Sequence, residues 1–266
     1  MKKSLYTVAI VILLIVFGVS AFMVGSYIIN GRREASSYED LAALRESIRV
    51  EAETAEATTA TETTEDTAPT EATEPQMLPE YAAVYEQNPD LVGWIKIEGT
   101  PIDYPVLHTP DRRDYYLKRN FFGESSDWGA IYIREQCDMF EPSDNITVYG
   151  HTMRDGSMFA ALHRYTEKEV WEQAPLIFFD NLYEYHCYKI FSVFITTASV
   201  GEGFTYHQMV DAENEDDFNE FIATCKDLAL FDTGETPVYG DKVICLSTCE
   251  YTQENGRLVV AAYRIS

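Results

Sequence analysis

The chain has 266 residues, 46% of them apolar and 24% charged, with 44 acidic side chains against 20 basic ones. A net charge of -24 excludes a protein that grips a phosphate backbone, or one that docks on anionic lipid through a basic patch, since both need clustered Lys and Arg. Length and apolar content suit one packed domain with attachments. Residues 77–266 carry 14 basic and 32 acidic groups, so a partner of that part is expected to be neutral or cationic.

Leu5 to Ile29 is a run of 25 uncharged residues between Lys2-Lys3 and Arg32-Arg33. As a helix it would reach about 37 Å, more than the ~30 Å of bilayer hydrocarbon. A cleaved signal peptide has an apolar core of only about 7–15 residues that ends at small residues. Here Ser20-Ala21 is followed by more apolar chain, so residues 5–29 are expected to be an uncleaved transmembrane anchor. Flanking positive charge is nearly balanced and gives little bias to orientation. The large acidic part that follows favours export, with residues 1–4 cytoplasmic. Residues 30–76 read as a helical stub and a linker. Ser36-Ser37-Tyr38-Glu39 fits a capping box, and Tyr38, Leu41, Leu44 and Ile48 follow helical spacing. From Glu51 to Gln76 the chain is almost entirely Thr, Glu and Ala, with Pro69 and Pro75, which predicts an extended, disordered acidic tether.

The folded domain is expected over 77–266. Pro79–Asn88 reads as a short helix stopped by Asn88-Pro89. The period then changes. Val92–Ile97, Ile102–Val106, Ala130–Arg134, Ile146–Tyr149, Leu176–Phe179, Tyr185–Thr196, Lys242–Leu246 and Arg257–Arg264 are rich in β-branched and aromatic residues. Eight strands with few βαβ spacings predict a mainly β fold, an antiparallel barrel or sandwich. Two helical insertions interrupt them. Ser157–Tyr165 runs into a second capping box, Thr166-Glu167-Lys168-Glu169. Glu215–Leu230 carries an apolar stripe of Phe218, Phe221, Ile222, Cys225, Leu228 and Ala229, which is read as core packing.

Five cysteines are an odd number for an exported domain. Cys187, Cys225 and Cys245 fall on apolar elements and are expected to be buried small hydrophobes, whereas Cys137 sits in a loop and is undecided. No Cys or His spacing fits a metal site. Cys249 differs, because Val243-Ile244-Cys245-Leu246-Ser247-Thr248-Cys249 runs out of an apolar strand into polar chain. Eight residues on, Arg257 opens a second strand, so a hairpin brings Cys249 and Arg257 to one end of a sheet. Arg stays charged at any working pH; it can favour a neighbouring thiolate or donate to an oxyanion. The alternative for this pair is an inert strand-end thiol beside a solvated guanidinium. A proton partner is offered by His151, because Asn145-Ile146-Thr147-Val148-Tyr149-Gly150 reads as a strand that ends directly before it and Gly150 permits a sharp exit. For His108, His163, His186 and His207 a structural or solvated role is expected. The order His then Cys counts against papain-like peptidases.

Leu246-Ser247-Thr248-Cys249, Arg257-Leu258-Val259-Val260 and Tyr149-Gly150-His151-Thr152-Met153 resemble the His, Cys and Arg signature of the sortases. Val92–Ile97, Ile102–Val106, Asp155-Gly156-Ser157-Met158-Phe159 and the insertion near 215–230 resemble the class B subgroup, over essentially all of 77–266. The resemblance implies an eight-stranded β-barrel with peripheral helices behind an N-terminal transmembrane helix. It also implies a cysteine transpeptidase with thiol-peptidase chemistry on the outer face of a Gram-positive membrane, its amino terminus cytoplasmic. Its implied chemistry cleaves a C-terminal sorting signal of secreted proteins after Thr, forms a thioacyl-enzyme at Cys249 and transfers the protein to a cell-wall peptide amine. In it His151 acts as acid and base and Arg257 holds the carbonyl and oxyanion; Ser247, Thr248 and Glu250 flank the nucleophile and are expected to line the groove. No cofactor and no nucleic acid enter. Thr152 stands where many class B members carry Asn, and Cys245 where many sortases carry Thr. A peptide hydrolase or a catalytically silent peptide-binding module of the same fold remains the alternative.

Overall fold

The computed structural model describes residues 2–59, 76–199 and 201–266. The chain divides into two units, Met1–Asp40 and Leu41–Ser266. A single helix, α1, spans Lys2–Thr59. It is long and apolar enough near its N-terminus to cross a membrane, and its large apolar side chains from Ile10 to Ile29 are all exposed. The predicted fresh start at Ser36 does not occur. The helix runs through, and the Ser37 hydroxyl donates back to Arg33 O at 2.9 Å, as a serine inside a helix does. Helix also continues over 51–59, where an extended tether is predicted; the rest of that tether, 60–75, lies outside the described residues.

Within the second unit Arg45 packs with the barrel. Its guanidinium stacks 5.0 Å from the Trp94 ring and 5.7 Å from the Tyr81 ring, and Nη1 lies 3.4 Å from Asp103 Oδ1. The planar, weakly hydrated guanidinium suits such a seat. Helix α2, Pro79–Tyr85, follows with Pro at its start.

Eight strands then close a barrel: β1 Leu91–Lys96, β2 Asp103–Leu107, β3 Ile131–Ile133, β4 Asn145–Tyr149, β5 Leu176–Asn181, β6 Cys187–Thr197, β7 Val243–Cys249 and β8 Gly256–Arg264. Their order is β1-β2-β3-β4-β7-β8-β6-β5, with β5 returning to β1. All eight predicted strands are present. The antiparallel expectation needs correction at two seams, since β2 pairs β3 and β4 pairs β7 in parallel. Long crossovers make that possible: ninety-odd residues separate β4 from β7, ample for a parallel return.

The apolar runs are near-continuous because both faces of the central strands are covered. On one face Val243, Cys245, Val259 and Ala261 pack with Phe191, Phe218, Phe221, Ile222 and Cys225. The alternate residues Ile244, Leu246, Leu258, Val260 and Ala262 point to the other face and are equally buried. Helix α4, Glu215–Asp227, supplies Phe218, Phe221, Ile222 and Cys225, and is capped by Asn214, whose side chain accepts from the amides of Asp216 and Asp217. The stripe stops there; Leu228 and Leu230 are exposed. The second predicted capping box is absent. Phe159–Thr166 is a 3₁₀ segment, α3 begins at Lys168, and the Thr166 hydroxyl donates back to His163 O at 2.8 Å instead of capping.

Phe218 is fully buried under β6, β7 and β8. Phe218→Ala is expected to remove about 3–5 kcal/mol of stability, seen as a lower urea midpoint with an unchanged slope.

Candidate active site

Three strand ends build the site. Cys249 is the last residue of β7, and Arg257 is its Cα partner across the antiparallel β7–β8 pair. In the parallel pair, Tyr149 of β4 lies beside Ser247 of β7. His151 is two residues beyond the first and Cys249 two beyond the second, so matched steps carry both to the same end of the barrel. Side-chain alternation sets Ser247, Cys249 and Arg257 on the face that carries Cys245 and Val259. His151, Cys249 and Arg257 are each half-buried and line one cavity of about 310 Å³, with Ser247, Tyr206, His207, Leu117 and Arg113 also in its wall.

Two glycines set the position of His151. Gly150 does not adopt a left-handed turn; it is needed for space, since a Cβ there would sit 2.6 Å from Ile131 Cδ1 and from the ring of Phe159, which is fully buried. At Gly129, with φ +61°, a Cβ would lie 2.8 Å from Leu117 O and 3.0 Å from His151 Cδ2. That gap lets His151 Nε2 come within 2.7 Å of Leu117 O. A carbonyl only accepts, so Nε2 carries a proton, and Nδ1 is the nitrogen left for exchange with a reacting group.

Arg257 turns Nη1 onto the backbone oxygens of Gly256 at 2.9 Å and Asn255 at 3.3 Å. Among the described residues it makes no ion pair, which leaves its charge for an anionic centre in the cavity. The predicted groove residues divide. Ser247 Oγ is 2.6 Å from Tyr206 OH, and burial pushes that phenol up to about 12. Thr248 lines the cavity, yet its hydroxyl donates to Gly150 O at 2.7 Å. Glu250 is not in the cavity wall. Its carboxylate closes the β7–β8 turn, accepting from the Thr252 amide at 2.8 Å and hydroxyl at 2.7 Å, while Glu250 N donates to Gly256 O at 2.9 Å. Burial acts to raise the Glu250 pKa, but these bonds outweigh it and hold the carboxyl below its ordinary value.

All five cysteines are free thiols. Cys137, the undecided one, is buried with Sγ 3.6 Å from Asn145 O, and burial pushes its thiol up to about 11. Cys225 and Cys245 lie in the core, with burial raising both, and Cys187 is half-buried. Among the described residues no group of three or more His, Cys, Asp or Glu is arranged to hold a metal ion.

The sortase domain family model matches residues 95–265, the whole of the barrel except its first edge. The chain belongs to the sortase family. It is 31% identical to sortase B of Staphylococcus aureus over 186 residues, 69% of this chain and 74% of that protein. It is 34% identical to sortase B of Listeria monocytogenes over 176 residues, 65% and 69% of the two chains. A solved Staphylococcus aureus sortase B–substrate complex superposes with a TM-score of 0.73 at 26% identity, covering 90% of this chain and 99% of that one. Class B is the subgroup, and the eight-stranded barrel is the family's. A sortase of this kind is a cysteine transpeptidase.

Sequence reasoning assigned structural or solvated roles to two histidines that this sortase brings to the site. His207 stands in the cavity wall, and His163 Nε2 lies 3.0 Å from Cys249 O. Neither has a strand-end signal. His163 sits on the 3₁₀ segment, and only the tertiary fold lays that segment under β7. Tyr206 and the Leu117 carbonyl were equally unreadable, the second because a backbone oxygen has no residue signature.

Two outcomes are expected. Iodoacetamide at neutral pH should modify Cys249 in the native protein and spare Cys137, Cys225 and Cys245, as peptide mapping by mass spectrometry would record. Gly150→Ala should cost about 1–3 kcal/mol through overpacking, read in urea melts, and should lower turnover by displacing His151.

Proposed function

We propose that this sortase cleaves a C-terminal sorting signal of secreted proteins after Thr and transfers the new carboxyl end to a cell-wall peptide amine. The observation that carries the reading is the register that sets Cys249 opposite Arg257 and in step with His151 around one cavity. The Cys249 thiolate attacks the Thr carbonyl carbon, the C–N bond breaks, and a thioester forms on sulfur. His151 as imidazolium gives the leaving amine its proton, then takes one from the incoming amine as the thioester carbonyl is attacked and the thiolate is released. Arg257 faces the oxygen on which negative charge develops. Ser247 and Thr248 act here through the positions they hold for their neighbours, and Glu250 through the turn that presents Arg257. Helix α1 anchors the protein in a single pass, with the amino terminus in the cytoplasm and the barrel outside, where both substrates are found. The acidic surface suits a cationic amine acceptor.

The test incubates the full-length chain in detergent micelles with quenched peptides of the Asn-Pro-x-Thr and Ser/Pro-Pro-x-Thr types, with and without triglycine, followed by mass spectrometry. Cleavage after Thr with transfer to triglycine is expected. Cys249→Ala should remove both, and Arg257→Ala should lower kcat about 100–1000-fold, the usual loss of an oxyanion donor. Release without transfer would identify a hydrolase. Intact peptides together with an unreactive Cys249 would identify a binding module.

A further inference from the structure

A second histidine supports the nucleophile from behind. His163 Nε2 lies 3.0 Å from Cys249 O and 3.0 Å from Thr152 Oγ1. Thr152 Oγ1 is in turn 3.0 Å from Cys249 O and 2.8 Å from Thr248 Oγ1. Thr248 Oγ1 donates to Gly150 O at 2.7 Å. The cluster joins the residues on either side of His151, Gly150 and Thr152, to the last two residues of β7.

Counting protons assigns the roles. Two carbonyls, Gly150 O and Cys249 O, can only accept. The single proton of Thr248 goes to Gly150 O, so the Thr248 oxygen faces Thr152 as an acceptor. Thr152 also has one proton, and both Thr248 Oγ1 and Cys249 O stand within its reach. It cannot serve both at full strength. The imidazole resolves this shortage: a nitrogen 3.0 Å from a carbonyl oxygen must carry hydrogen, so His163 donates from Nε2 to Cys249 O and lets Thr152 bridge to Thr248.

We propose that His163 is a positioning residue for transpeptidation, acting through Thr152 and the Cys249 carbonyl to hold nucleophile and proton partner in one frame. The inference rests on the reading of Cys249 and His151 as the reacting groups. His163 Nε2 meets the backbone oxygen of Cys249 and not its sulfur. It fixes the Cys249–Glu250 peptide plane, and with it the direction in which the Cys249 side chain leaves the strand. Without the Nε2 proton, Cys249 O and Thr248 compete for Thr152, and the tie between the His151 segment and β7 loosens. Reacting groups misplaced by about an ångström lose on the order of 100-fold in rate, whereas Arg113, Tyr206 and His207 of the cavity wall lie outside the cluster. The effect therefore belongs in kcat and not in KM.

The experiment compares the full-length parent with His163→Leu, which keeps bulk without a donor, and His163→Gln, whose amide nitrogen can reach the place of Nε2. Thr152→Val and Cys249→Ala run alongside, on the panel peptide that the parent turns over fastest. His163→Leu is expected to lower kcat at least about tenfold with KM within about twofold, and His163→Gln to recover to within about threefold of the parent. A Leu variant whose kcat stays within twofold of the parent overturns the proposal, as does a Gln variant that falls as far as Leu. Should the Leu variant fail to fold by circular dichroism, Thr152→Val decides: an unchanged kcat overturns the role of the cluster, and a tenfold fall with constant KM upholds it. Turnover that survives Cys249→Ala would instead sink the underlying reading, so the two failures are distinguishable.

Discussion

Everything at the mouth of the barrel depends on the parallel seam between β4 and β7. An antiparallel neighbour would bring the start of one strand to the end of the other and leave His151 at the far end of the barrel from Cys249. Parallel pairing in the register Tyr149 to Ser247 puts two strand exits side by side, and the antiparallel β8 then returns Arg257 to the same height. A slip of one residue along either seam would turn a side chain to the wrong face. The register is protected by burial on both faces. Core side chains from α4 cover one face, and the inward set of Ile244, Leu246 and Val260 fills the other.

Around that frame, polar groups are spent on holding rather than on reacting. Thr248, Thr152 and His163 tie β7 to the segment that bears His151, the Leu117 carbonyl orients the imidazole, and Tyr206 engages Ser247. What remains for chemistry in the cavity is a half-buried thiol, a ring nitrogen and a guanidinium that, among the described residues, has no carboxylate partner. The four remaining cysteines lie outside the cavity wall, and burial raises the pKa of each and so disfavours thiolate there.

Strand content was legible because β-branched and aromatic runs between turn residues carry a strong local signal, and all eight strands appear within a few residues of their predicted ends. Placing Cys249 and Arg257 together needed only a hairpin, which is local. Placing His151 beside them needed the crossover between β4 and β7, and composition does not encode which distant strand becomes a parallel neighbour. A further demand on Gly150 was not legible: the ring of Phe159, distant from any turn argument, leaves no room for a Cβ there. Both predicted capping boxes failed for a related cause. Ser36-Ser37 sits within a helix already propagating from upstream, and Thr166 bonds back to His163 O inside its own 3₁₀ turn. A short motif offers a start, and cooperative helix growth or a competing local bond can override it.

The turn between β7 and β8 closes on itself. Glu250 and Gly256 bond across its base, Gly256 N reaches Gln253 O at 3.2 Å, and the Glu250 carboxylate holds Thr252. Tyr251 meanwhile is exposed to solvent. The two ends are therefore pinned partly through residues that lie between them, since Thr252 and Gln253 belong to the closure. Doubling the length of a loop costs only about 0.6 kcal/mol in closure entropy, but a change that displaces these two also loses their bonds. The tip of this turn thus has one side chain, Tyr251, that can be exchanged to reshape the rim beside the cavity while the bonds of Thr252 and Gln253 keep Cys249 and Arg257 in their places.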